Sequence, residues 1–181
     1  MNKIDAMLGF RTKFPSATLT RPANTTAYAS GDVISDATGD AHFTFGSASD
    51  DGSKMVSRPD VGTITLNSVL LHSSANQATK LQAELWLFWA DISNVADNAA
   101  FAPTDAEMLT LVTIVQIPQS AWFVGNAGSG ANGNAVCVIS NIDTPIKTSG
   151  NGRLYGQLVV RNAYTPVSDQ VFTCVLSLSQ D

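Results

Sequence analysis

The side chains able to do chemistry are few and scattered. Two histidines, His42 and His72, stand alone in strand-like surroundings, and the only glutamates are Glu84 and Glu107. General acid–base catalysis needs groups within hydrogen-bond reach of a common substrate, and glycoside hydrolysis needs two carboxyls flanking one bond. Nothing in the sequence places two carboxylates together except turns. Asp32, Asp36 and Asp40 recur at every fourth residue, and Asp50-Asp51-Gly52 resembles a calcium-type turn. Neither follows the ligand order of an EF-hand, so both read as solvated loop carboxylates. Gly128, Gly130 and Gly133 match GxGxxG in form. That motif binds pyrophosphate only between a strand and a helix N-terminus, whereas AVCVISNI follows here and reads as strand. No nucleophile elbow, P-loop or HExxH occurs. The sequence therefore predicts no catalytic residue, no cofactor, no metal, and a protein that is not an enzyme.

Three indoles suggest another chemistry. Trp86, Trp89 and Trp122 could stack sugar rings as a surface platform, a carbohydrate-binding or receptor-recognition alternative; the plainer reading puts Trp89 in a core and Trp122 at its end. Residues 80–91, KLQAELWLFWAD, decide much of this. As a strand they send Leu81, Ala83, Leu85, Leu87 and Trp89 to one face and Gln82, Glu84, Trp86 and Phe88 to the other. The first face is a core face. The second starts polar and ends aromatic, so Trp86 and Phe88 are expected to be covered by protein, from this subunit or a neighbour, and are candidate anchors of an oligomer interface.

The chain has 181 residues, 44% of them hydrophobic and only 14% charged, against roughly 25% charged in an average soluble protein. One sizeable core fits this length. A net charge of −5 and a pI near 4.8 exclude binding of nucleic acid or an anionic membrane through a broad basic field. The first residues, MNKIDAMLGFRTKF, lack an apolar signal core, so synthesis in a cytoplasm without a signal peptide is expected. Cys137 and Cys174 sit in apolar, strand-like runs and read as buried, reduced thiols.

The elements that must position these residues are mostly strands. Residues 1–14 fit no period and form an arm. Short strands follow at SATLT, DVIS and AHFTF, then a long one at 61–73, with Ile64, Leu66, Ser68 and Leu70 on one face and Val69 and Leu71 on the other. Its neighbour in an antiparallel sheet is expected to be the 80–91 strand, joined to it as a hairpin. Thr104 with Glu107 three residues later makes a capping box, which predicts a short helix at about 104–109. Strand character returns at 110–117, AWFV, AVCVISNI, PIK, RLYGQLVVRNAY and VFTCVLSLS. The last alternates cleanly, with Phe172, Cys174, Leu176 and Leu178 on one face. The whole predicts an all-β chain: an antiparallel β-sandwich of jelly-roll type, one domain over 15–181.

Three stretches, TLTRPANTTAYASGDVIS, KLQAELWLFWAD with DNAAFAPTDAEM, and LYGQLVVRNAYTPVSDQVFTCVLSLSQD, together resemble tailed-bacteriophage virion structural proteins of the jelly-roll head decoration, or cement, type. The resemblance spans about residues 17–181 and carries no catalytic residue. It implies a protein of the virion's capsid surface that clamps subunits of the major capsid protein and works as a homo-oligomer, a trimer or dimer. On that reading Leu8, Phe10 and Phe14 of the arm join Trp86 and Phe88 as candidate contacts with a neighbour or the shell.

Overall fold

The computed structural model describes residues 11–46, 64–126, 132–146 and 152–180. Among these the chain forms twelve strands, β1 (Arg11–Lys13), β2 (Ser16–Thr20), β3 (Val33–Ile34), β4 (Phe43–Phe45), β5 (Ile64–Ser73), β6 (Ala83–Phe88), β7 (Leu111–Ile117), β8 (Trp122–Asn126), β9 (Asn134–Ile139), β10 (Thr144–Ile146), β11 (Leu154–Val160) and β12 (Val171–Gln180), with one short helix, α1 (Asp105–Met108). Sheet A runs β1-β12-β5-β9-β8, with β2 also on β12 and β10 also on β5; sheet B runs β3-β11-β6-β7, with β4 also on β11. The pairings nest. β2 pairs with β12, β3 and β4 with β11, β5 with β9, and β6 with β7, all antiparallel. A long hairpin rolled up on itself gives this order, and it is the jelly roll. β8 is an addition that extends sheet A past β9.

β5 and β6 do not form the expected hairpin. They belong to opposite sheets, because each needs its apolar face turned to the same core from opposite sides. The connection between them crosses the end of the sandwich and buries Ala75 and Leu81 on the way. The face expected for β5 also changes along its length. Ile64 and Leu66 are buried, but so are Val69 and Leu71 rather than Ser68 and Leu70. Against β12 the partner steps from Ser68 to Leu66 as Ser177 gives way to Leu178, so Asn67 is an extra residue that flips the alternation. Its carbonyl accepts from Ile142 N at 3.1 Å.

In β12 and through Leu87 of β6 alternation holds. Phe172, Cys174, Leu176 and Leu178 enter the core from β12, and Leu85 and Leu87 enter from β6. Trp89 is half-buried against the same core. Residues 11–13, the last of the expected arm, are an edge strand, and Leu176 N bonds Pro15 O at 3.0 Å between β1 and β2. Proline lacks an N–H, which accounts for the break there. Cys137 and Cys174 are both free and buried. They flank Leu71 from its two neighbouring strands, about 10 Å apart by strand spacing and beyond disulfide reach. Burial raises the Cys137 thiol to about 11.

Every residue of β11 is buried. A Cβ built on Gly156 would meet Phe45, Leu85 and Leu87 at 3.0, 3.2 and 3.3 Å, so glycine sets how closely the sheets approach here. Gly156→Val should overpack this layer and cost about 1–3 kcal/mol in urea unfolding; unchanged stability would show that the layer has slack.

Candidate functional site

The aromatic half-face of β6 is covered by the chain's own connection from β6 to β7. Phe88 is 0% exposed and packs with Ile92 and Tyr155, while Trp86, Phe101 and Leu111 close over them, half-buried. Phe101 meets Trp86 edge-on at 5.3 Å and Phe88 at 6.4 Å. The connection then reaches the far edge of sheet B. Val33 N donates to Ala99 O (2.9 Å), Asn98 N to Val33 O (3.0 Å) and Phe101 N to Gly31 O (2.9 Å), so a bare edge is capped from within. Phe88 therefore has no surface to offer a partner. Trp86 keeps some, and its indole N–H donates to Glu84 Oε2 at 2.9 Å. Burial raises the Glu84 pKa, but hydrogen bonds from Arg161, Gln116 and Trp86 outweigh it and the net shift is downward.

Two anchors hold this connection. The first is the expected capping box. Thr104 is the N-cap of α1, and Glu107 accepts from Thr104 N (2.6 Å) and from Ser93 N (2.6 Å). The bonds from Ser93 and Thr104 hold the Glu107 carboxyl at about 2. The second anchor lies under the end of the sandwich and was not read from the sequence. Arg21, 0% exposed, bonds Asp97 Oδ2 (3.1 Å), Val167 O (3.2 Å) and the Tyr28 hydroxyl; Asp97 Oδ1 accepts from Tyr28 OH (2.6 Å) and Ser35 N (3.1 Å). Burial and the Asp97 bond push the Tyr28 phenol far up. Beside it Tyr164 stacks on Tyr28 and bonds Gln170, whose Nε2 reaches Ser73 Oγ at 2.7 Å.

The residues first weighed for chemistry do not converge. His42 is buried, with its Nε2 3.1 Å from Asp91 Oδ1. Burial lowers its pKa against the pull of Asp91. His72 lies on β5 in sheet A. Asp32 and Asp36 hold turns by accepting from Ala29 N at 2.6 Å and Thr38 N at 2.8 Å, and Asp36 also accepts from Thr20 N at the end of β2. Residues 50–52 and 128–131 lie outside the described residues, as do Leu8 and Phe10. Nor do the indoles share a platform. Trp122 is 9% exposed and its N–H donates to Leu81 O at 2.7 Å, and Trp89 packs on the main core while Trp86 lies with the outer cluster.

The exposed apolar surface lies elsewhere. Phe123 (65%), Val124 and Val138 (47%) stand on β8 and β9, and Phe14 stands at the break between β1 and β2. Outside β1, no strand of sheet A contains an Asp, Glu, Lys or Arg. Met108 and Leu109 (84%) form a second apolar point at the end of α1.

No family model matches the chain, and no curated protein matches it. Among solved structures it is similar to one from Desmodium yellow mottle tymovirus (10% identity, 94% of this chain and 86% of that one, TM-score 0.32), to a Mud Crab Dicistrovirus structure (12%, 100% and 73%, 0.35) and to one from turnip yellow mosaic virus (13%, 94% and 92%, 0.26). At these scores the likenesses carry no functional argument. The jelly roll rests on the strand pairing.

Two outcomes are expected. Asp97→Asn should cost about 3–5 kcal/mol in urea unfolding, because it leaves the buried Arg21 charge without its partner; a loss under about 1 kcal/mol would show the pair to be peripheral. The lowered Glu107 pKa means that its stabilisation is present above the usual carboxyl value of 4.5 and fades as pH falls toward about 2. The Ser93 and Thr104 amide resonances should therefore titrate with a midpoint near the lower value, and Glu107→Gln should abolish the step.

Proposed function

We propose that this chain is a non-enzymatic structural protein of a tailed-phage virion: a head decoration or cement protein that binds the outer capsid surface, contacts the major capsid protein and works as a homo-oligomer. The observation that carries this reading is the distribution of contact surface. The sandwich offers an outer face of sheet A without charged residues outside β1 on one side and the Met108–Leu109 point, within the connection over sheet B, as a second contact. A clamp between neighbours needs at least two such places. The sequence resemblance to decoration proteins agrees with it.

In such a protein each contact can be weak, because repetition around a closed shell multiplies it. What the body must supply is rigidity, and the covered β6 face and the anchored connection supply that. A carbohydrate-binding role has less behind it, since sugar stacking needs exposed aromatic faces side by side and the three indoles are divided between two clusters.

Cryo-electron microscopy of the parent particle tests the proposal. Density for the sandwich on the outside of the head is the expected result; a head without it, or the chain located only in the tail, would overturn the reading.

A further inference from the structure

Deepening the homo-oligomer of the proposed function, we infer that the outer face of sheet A is the interface with a second copy of this chain, joined about a two-fold axis. The register lays out the face in rows. One row reads Ser16, Val175, Leu70, Val138, and the next Thr18, Thr173, His72, Val136, Phe123. A solvent-facing antiparallel sheet ordinarily alternates apolar-in with polar-out. Here the outward positions near the β9–β8 side are Val, Leu and Phe, and none in either row is Asp, Glu, Lys or Arg.

Charge points to the occupant. The chain carries a net charge of −5, so two copies repel each other, and least where the surfaces that meet are neutral. This face is such a surface. Its extent also fits. Five strands spaced about 4.8 Å apart, over about seven residues each, give a face of roughly 600 Å² in projection, close to the roughly 800 Å² per partner of a standard interface. Sheets packed face to face stand about 10 Å apart and interlock side chains of this size. A two-fold axis makes the patch its own complement, so no second surface is required. The far edge of the sheet is unsuited to the centre of the contact, since its outward residues there are the polar Thr12, Ser16 and Thr18. Phe123 and Val138, at the other side, are the expected anchors.

Light scattering with size-exclusion chromatography on the purified full chain, at about 100 µM, should give a mass twice the 19.1 kDa of the monomer. Val138→Glu and Phe123→Glu, both at exposed positions, should halve that mass and leave the far-ultraviolet circular dichroism unchanged. Leu109→Glu, at the other apolar point, should leave the dimer intact. A monomeric wild-type chain, a trimer, or a dimer that persists in both glutamate variants overturns the inference. A monomer that still decorates heads overturns this interface alone, and a dimer absent from heads overturns only the decoration reading.

Discussion

The buried Arg21–Asp97 pair is the constraint on which the arrangement of this sandwich depends. Arg21 follows β2, Asp97 belongs to the connection between β6 and β7, and Val167 precedes β12. One guanidinium thus ties three segments that are distant in sequence. A buried charge pair is poor evidence for net stability, since both ions lose their hydration. Its contribution here is positional. With both carboxylate oxygens occupied by Arg21, Tyr28 and Ser35, Asp97 can sit in one place only, and the connection that carries it must lie across sheet B. The cover over Phe88 and the capped edge at β3 follow from that placement.

The consequence for the surface is an asymmetry between the two sheets. Sheet B has its outer aromatic cluster covered by its own chain, and beside it Gln116 and Arg161 both donate to Glu84. Sheet A has no such cover among the described residues, and its outward side chains are short, neutral or apolar. Covering one sheet and leaving the other bare divides the molecule into a finished side and a side suited to contact.

Much of this was legible in the sequence, and the failures have physical reasons. Strict alternation in 171–178 and in 81–87 fixed which side chains face the core, because a strand has period two whatever it pairs with. The Thr104–Glu107 box located the helix from local hydrogen-bonding chemistry alone. The need to cover Trp86 and Phe88 was evident, but its source was not, since alternation says that a face is apolar without saying what lies on it. The β5 face was misread past Leu66 because an inserted residue such as Asn67 leaves no mark in composition. The hairpin was misassigned because a short polar connection serves equally between neighbours in one sheet and between strands in facing sheets. Arg21 gave no signal either. A lone arginine before a proline reads as surface, and only the fold brings Asp97 to it across 76 positions.

β12, the latest of the twelve strands to be synthesised, lies inside sheet A between β2 and β5. Its partners are made early, yet neither can complete its ladder until residues 171–180 exist. Folding is therefore governed by the closure of very long loops, whose entropy must be spent before the pairing returns anything, and this places the protein among slow, topology-limited folders. Until that strand arrives, β5 presents an unpaired edge next to apolar side chains, and the nascent chain is at its most vulnerable to pairing with the wrong partner.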